Sequence, residues 1–155
     1  MTSQLMSAPS TISELRLPPL IVCERRGVWA TALSRHLPAG VPMVQTRAVG
    51  QCVAELERWP AGFLVLEVGR DNLPGVLELV GELEWRFPAA RALAVAPRDM
   101  LDYEWLLREA GAVHFCVSPR EGDLVVRVAV RHLRAAAQSI DGPVARLWAQ
   151  VAWTR

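Results

Sequence analysis

The sequence AGFLVLEVG, residues 61–69, determines how the rest of the chain can fold. Its apolar residues surround a single acid, Glu67, and Gly62 and Gly69 bound the run. Such a run is typical of a strand buried on both faces, in the middle of a parallel sheet covered by helices. An acid at the carboxyl end of this strand projects toward the crevice in which open α/β sheets bind ligands. Glu67 is therefore either the centre of a functional site or the remnant of one.

Strand-like and helix-like patterns alternate five times from Pro19 onward. Pro74 suits the first turn of the third helix, and Asp99 is the predicted cap of the fourth. Right-handed crossovers between parallel strands then give a three-layer α/β/α sandwich. The predicted strands are residues 20–24, 41–46, 63–68, 91–96 and 113–117, and the predicted helices are residues 27–37, 48–59, 74–86, 101–110 and 122–137.

The charge and composition of the chain exclude several classes of function. A formal net charge of +1 provides no basic field to concentrate nucleic acid, so we expect no nucleic-acid partner. All 17 basic residues are arginine, which removes any mechanism that needs a lysine amine. The first 19 residues contain no apolar segment long enough for a signal peptide or an anchor, so we expect a cytoplasmic protein with no membrane partner. The abundance of Ala, Arg, Val and Leu indicates a GC-rich, bacterial genome.

The cysteines and histidines do not form a metal-binding pattern. Three cysteines at wide spacing make neither a disulfide framework nor a zinc motif, which fits a reducing cytoplasm. Cys23 and Glu24 could form a reactive thiol site, and the alternative is a small buried cysteine. The three histidines fall on different predicted elements, so we expect no metal and no cofactor. These residues are Cys23, Cys52, Cys116, His36, His114 and His132.

Two segments flank the predicted domain of residues 18–137. Residues 1–17 are rich in Ser and Thr, and we expect them to form a flexible lead. In residues 138–155 the apolar side chains of Val144, Leu147, Trp148 and Val151 recur at helical spacing, which predicts a short amphipathic helix. A helix of this length is marginal alone in water, so it must dock on its own domain, on a second copy or on a partner.

The stretch EAGAVHFCVSP, residues 109–119, resembles the end of the response-regulator receiver domain. In that family an Ala-Gly-Ala turn leads to an aromatic residue, two apolar residues and then Lys-Pro; the matching residues here are Ala110, Gly111, Ala112, Phe115 and Pro119. The resemblance covers about residues 19–136 and implies a flavodoxin-like, chemotaxis-regulator-type sheet of strand order 2-1-3-4-5. It also implies a cis peptide bond between Ser118 and Pro119, and a place in two-component signalling.

The family's chemistry, phosphoryl transfer to an aspartate, is what the resemblance implies for the site. An acid pair holds Mg²⁺, an aspartate attacks the phosphorus, and a hydroxyl and a lysine hold the phosphoryl oxygens, because a trianionic group requires positive charge beside it. On this chain the acid pair becomes Cys23 and Glu24, the acceptor becomes Glu67, the hydroxyl position becomes Ala96 and the lysine becomes Ser118. Only the acidic character of two positions survives, which predicts a degenerate pseudo-receiver without the phosphorylation residues.

Excess apolar surface on the last helices predicts a protein-interaction surface. Exposed Trp beside Arg is typical of protein interfaces, whereas the alternative is that the C-terminal helix covers this surface within the same chain. The two alternatives merge if that helix crosses to a second copy in a homodimer. The candidate surface comprises Leu101, Trp105, Phe115, Val126, Arg127, Val130, Arg131, Leu147, Trp148 and Val151.

Two hypotheses of function follow. The first is a non-catalytic receiver-like module that binds itself or a partner in bacterial signalling or assembly, through the fourth helix, fifth strand, fifth helix and C-terminal helix. The second is a small-molecule or enzymatic site at the strand carboxyl ends around Glu24 and Glu67, with Cys23. Against the second, the segment ERRGVW after the first strand has one glycine where a phosphate-binding loop needs several. Glu67 itself is either a partial mimic of an activated state or a solvated acid paired with Arg25, Arg26 or Arg120.

Overall fold

A computed structural model describes residues 16–140 of the chain. Five strands alternate with five helices, and two short 3-10 turns, Arg98–Tyr103 and Pro119–Glu121, precede the last two helices. The elements are β1 Leu20–Cys23, α1 Val28–Ser34, β2 Met43–Thr46, α2 Val49–Arg58, β3 Phe63–Glu67, α3 Leu73–Arg86, β4 Arg91–Val95, α4 Glu104–Ala110, β5 Phe115–Cys116 and α5 Gly122–Ile140. The predicted C-terminal helix and residues 1–15 of the predicted lead lie outside the described residues.

The strands form one parallel sheet of order β2-β1-β3-β4-β5, which confirms the predicted topology. β3 pairs with β1 on one side and with β4 on the other, so residues 61–69 contain the central strand of the sheet. Cys23 lies opposite Thr46 of β2 and Leu66 of β3, and Glu67 lies opposite Val95. The register therefore brings the carboxyl ends of the strands to one edge of the sheet.

Each face of the sheet has its own hydrophobic core, because successive strand side chains point to opposite faces. Leu20, Val22 and Phe63 pack with α1 and α5 on one face. Ile21 and Leu64 pack with α2, α3 and α4 on the other. Every residue from Phe63 to Leu66 is buried, as the apolar run predicts. The three-layer sandwich is thus the arrangement that covers both faces.

Gly62 lies at a tightly packed point where the chain enters β3. A Cβ atom at this position would lie 3.1 Å from the Ile21 side chain and 3.2 Å from the Trp59 carbonyl oxygen. A larger residue here would require these neighbours to shift by a few tenths of an ångström. The glycine that bounds the apolar run therefore allows close packing at the start of the central strands.

Three local predictions are wrong. The fourth helix begins at Glu104, after the 3-10 turn, so Asp99 lies within that turn and caps no helix. β5 contains only Phe115 and Cys116, which pair with Ala94 and Val95 of β4, and is therefore shorter than the predicted residues 113–117. α5 continues three residues beyond its predicted end at Ala137. Within residues 16–140, no helix combines the length and the hydropathy needed to cross a membrane.

Candidate functional site

The carboxyl ends of β1, β3 and β4 surround an open cavity of about 440 Å³. The loops after β1 and β3 supply its polar side chains, and α1, β4 and the start of the last 3-10 turn supply its apolar wall. It is the crevice in which a doubly wound sheet binds ligands. The lining residues are Arg25, Arg26, Val28, Trp29, Glu67, Val68, Gly69, Asp71, Asn72, Ala96, Pro97, Val117 and Pro119.

Glu24 does not face this cavity, because its carboxylate binds the first turn of α1. The Trp29 amide donates to one carboxylate oxygen at 2.8 Å, and the Ala30 amide donates to the other at 2.6 Å. The residue before the helix, Gly27, has a left-handed φ of 76° and no side chain, so it cannot accept these hydrogens itself. Glu24 is 5% exposed. It therefore serves as a remote cap for α1.

Glu67 is held by the loop after β1. The backbone amide of Arg25 donates to its carboxylate at 3.0 Å, and the Arg25 guanidinium pairs with Asp71. The Asn72 side chain donates to the Glu67 carbonyl oxygen at 2.8 Å and accepts from the Gly69 amide at 2.7 Å, which fixes the loop after β3. The sequence suggested a side-chain pair between Glu67 and an arginine; the structure shows an arginine backbone contact.

Ala96 and Ser118 provide no group that could hold a phosphoryl oxygen. Ala96 is buried in the wall of the cavity. Ser118 is not among the lining residues, and its hydroxyl accepts from the Arg120 amide at 3.3 Å as the cap of the last 3-10 turn. The expected cis bond between Ser118 and Pro119 is a wrong prediction, since residues 16–140 contain no cis peptide bond.

A Mg²⁺ ion, which the fold implies for phosphoryl transfer, does not fit the groups at this edge. Divalent magnesium needs carboxylate oxygens that are available for coordination. Here the Glu24 oxygens accept two backbone amides, and Asp71 already neutralises the Arg25 side chain. Cys23 takes the place of the remaining acid. Among the described residues, no group of three or more His, Cys, Asp or Glu could hold a metal ion.

A second, smaller cavity of about 190 Å³ lies on the α2 side of the same edge, and Cys23, Glu24, Arg47 and Glu67 contribute to its lining. Cys23 is buried, and it lies opposite Thr46 in the register of β1 and β2. Thr46 Oγ1 and Cys52 Sγ are 3.1 Å apart. Sequence reasoning missed Thr46 and Cys52 as site residues, because the pairing of β2 with β1 brings Thr46 to Cys23 and the packing of α2 on the sheet brings Cys52 to Thr46.

These contacts divide the cysteines into two kinds. The hydrogen bond from Cys52, aided by Thr46, lowers the pKa of Cys23 to about 7, although burial and the charges of Glu67 and Glu24 act in the opposite direction. The same hydrogen bond, with burial, raises the pKa of Cys52. Burial raises the pKa of Cys116 to about 11. Of the two thiols, Cys23 is therefore the one that ionises more readily.

The predicted interaction surface separates into two regions. Leu101 and Trp105 are exposed, with 47% and 66% of their surface accessible. They lie on the side of the sheet that α2, α3 and α4 cover. Arg127 and Arg131 line a groove of about 380 Å³ on the opposite side, next to His36 at the end of α1. Phe115, Val126 and Val130 are buried, and Val126 and Val130 lie in the lining of the same groove. Leu147, Trp148 and Val151 lie outside the described residues.

Solved structures with a similar fold include a response regulator, a CheY-like protein and a receiver domain. A response regulator from Thermotoga maritima superimposes with a TM-score of 0.61 at 16% identity, over 76% of this chain and 98% of that one. A CheY-like protein (tadZ) from Pseudomonas aeruginosa gives 0.61 at 18% identity, over 74% and 98%. The receiver domain of NtrX from Brucella abortus gives 0.57 at 21% identity, over 74% and 97%. The chain thus has the flavodoxin-like receiver fold. No protein-family model and no curated protein matches the sequence.

Proposed function

We propose that this chain is a non-catalytic receiver-like module of bacterial signalling or assembly that binds a protein, either a second copy of itself or a partner. The observation that carries the proposal is the state of the pocket. One acid caps α1, an alanine replaces the hydroxyl and a serine outside the cavity replaces the lysine. A receiver-like domain without the reactive groups can still act by binding other proteins through its surface.

An apolar patch of two residues, Leu101 and Trp105, supports this role. Leu101 lies in the 3-10 turn before α4 and Trp105 in the first turn of α4. Such exposed large side chains near arginine are enriched at the energetic centres of protein interfaces. The C-terminal segment, with Leu147, Trp148 and Val151, follows α5 and is the part of the chain that we expect to complete the interface in the same chain or across a dimer.

The groove beside α5 contains charged side chains that support this proposal. Arg127, Arg131 and Arg134 line it, and the only acid in its lining is Asp123, which pairs with Arg127 at 3.3 Å. The floor is the buried pair Val126 and Val130. An apolar floor with a basic rim fits a protein segment that combines apolar and acidic side chains.

Replacement of Trp105 by alanine tests the proposed interface. A tryptophan at the centre of an interface contributes about 2 kcal/mol or more, so we expect Trp105→Ala to weaken association roughly 30-fold. The measurement is multi-angle light scattering of the full-length chain across a concentration series, followed by crosslinking to cell extract proteins if the wild type is a monomer.

Trp85→Ala is the matched control for this experiment. Trp85 is 70% exposed but lies in the last turn of α3, whereas Trp105 lies in the first turn of the neighbouring, parallel α4. The two rings therefore lie toward opposite ends of the helix layer. Equal association by the wild type and both variants, in both assays, would contradict the proposed interface.

The alternative function, a small-molecule or enzymatic site, has one observation in its favour. The cavity of about 440 Å³ has the size of a ligand site, and Arg25 and Arg26 contribute to its lining. Glu24 and Cys23 do not line it; they line the neighbouring cavity of about 190 Å³, to which Glu67 also contributes. A rise in melting temperature with nucleotides or flavin mononucleotide, lost in Glu67→Gln, would favour this alternative over the interaction module.

A further inference from the structure

Cys23 and Cys52 lie side by side on one face of the sheet. Cys23 is the last residue of β1, and Cys52 lies in the first turns of α2, which packs on that face. Thr46, the last residue of β2, lies opposite Cys23 in the register and 3.1 Å from Cys52 Sγ. Paired residues of neighbouring parallel strands point to the same face, so the Cys23 and Cys52 thiols meet beside the Thr46 hydroxyl at the carboxyl edge of the sheet.

Access to the two thiols is unequal. Cys23 forms part of the lining of the cavity of about 190 Å³, which is several times the volume of a water molecule. Cys52 has no exposed surface and does not line that cavity. A small oxidant that enters the cavity therefore reaches Cys23 before Cys52.

We propose that Cys23 and Cys52 form a peroxide-sensitive thiol pair, in which Cys23 is the attacking residue and Cys52 the resolving one. The Cys23 thiolate attacks one oxygen of a hydroperoxide; the S–O bond forms, the O–O bond breaks, and the leaving hydroxide or alkoxide takes a proton from solvent. Cys52 then attacks the resulting sulfenic acid; the S–S bond forms, the S–O bond breaks, and the hydroxyl leaves as water with the Cys52 proton.

The net reaction is balanced. Two thiols lose two electrons and two protons to the disulfide, and hydrogen peroxide gains them to give two molecules of water. The thiolate character of Cys23 supplies the nucleophile, and the thiol of Cys52 remains protonated beside it. A disulfide here would join the end of β1 to α2, next to the loop in which Arg25 binds Glu67. Transient disulfides of this kind are the form in which redox sensing occurs in reducing compartments.

The test is peroxide treatment of the full-length chain, followed by alkylation in denaturant and tryptic mapping without reductant. Cleavage at arginine separates the three cysteines, into peptides 17–25, 48–58 and 109–120. We expect a crosslinked species of the first two peptides, which dithiothreitol separates, and loss of the Cys23 thiol about tenfold or more faster than loss of the Cys116 thiol. Cys116 is the internal control, because its raised pKa and burial keep it protonated.

Variants distinguish the two steps. In Cys52→Ser the reaction should stop at the sulfenic acid on Cys23, which dimedone captures, and Cys116→Ser should give the same crosslinked peptide as the wild type. The wild-type map tests the inference even if Cys52→Ser does not fold. Oxidation of Cys116 as fast as Cys23, or sulfinic acid on Cys23 of the wild type without the crosslinked peptide, would overturn the inference.

Discussion

Glu24 is a single residue whose contacts change the interpretation of its position. Receiver chemistry would direct this acid toward a metal ion, but here it accepts the Trp29 and Ala30 amides at the start of α1. The reason lies one turn away, where Gly27 precedes the helix and offers no capping side chain. The unsatisfied amides of a helix start need an acceptor, and a buried carboxylate provides a strong one.

Substitution of Glu24 tests this capping role. Glu24→Ala leaves two buried amides without an acceptor, so we expect the free energy of unfolding to fall by about 1–3 kcal/mol. Urea denaturation followed by circular dichroism measures the change. Glu84→Gln, which removes a charge from an exposed position on α3, is the control and should stay within about 0.5 kcal/mol of the wild type. Equal midpoints for the two variants would show that Glu24 does not support α1.

The sequence identifies an acidic residue at position 24, but it does not predict the direction in which the Glu24 side chain points. The apolar run predicts the first strand as residues 20–24 and therefore places Glu24 at its carboxyl end. Whether the side chain turns toward the cavity or toward α1 depends on the geometry of the turn at Gly27. The same limit applies to Cys52, whose helical stripe predicted burial correctly, while its contact with Cys23 depends on the pairing of β1 with β2.

At the scale of elements, α5 is fastened to the start of β3 through His132. Its Nε2 lies 3.2 Å from the Ala61 carbonyl oxygen, and its ring centroid lies 5.6 Å from that of Phe63. Burial lowers the pKa of His132, and the charge of Arg91 acts in the same direction, while the Ala61 and Ala89 carbonyls oppose it. The fold therefore favours the neutral imidazole.

This shift makes stability depend on pH. Because the folded state binds the proton less tightly than the unfolded state, His132 lowers the stability as pH falls through the ordinary histidine value of 6.5. We expect the urea midpoint of the wild type to decrease over this range, and His132→Gln, which keeps a donor but does not titrate, to show a smaller decrease. His36→Gln, at an exposed position, should follow the wild type. Identical pH profiles for His132→Gln and the wild type would contradict this role.

Helices and strands were predicted correctly where a single sequence pattern, such as an apolar run or an amphipathic stripe, was enough to identify them. The apolar run of β3, the stripe of α2 and Pro74 at the start of α3 were confirmed. The 3-10 turn before α4 was not predictable, because Asp99 satisfies the sequence rule for a cap while the chain leaving β4 continues as a tighter turn. The burial of Phe115, Val126 and Val130 also depends on how α5 packs against the sheet, which the helical stripe alone does not fix.

At the scale of the whole molecule, the chain has the receiver fold, and we propose that it lacks the groups for phosphoryl transfer. The cavity at the strand ends persists, but its acids bind amides and an arginine, and no lysine exists anywhere in the chain. The proposed activity accordingly lies on the apolar patch of Leu101 and Trp105 and on the surface near α5. The thiol pair of Cys23 and Cys52 lies beside the cavity, and its proposed redox role is tested by a separate experiment.

Incubation of the full-length chain with acetyl phosphate and Mg²⁺, followed by intact-mass measurement, tests the non-catalytic role most directly. A receiver domain with its acid pair, aspartate and lysine intact is the positive control under the same conditions. We predict that the control gains a phosphoryl group and that this chain keeps an unchanged mass, because Mg²⁺ and the phosphoryl oxygens lack the ligands they need. A stable, acid-labile phosphoryl adduct on Glu67 would contradict the account.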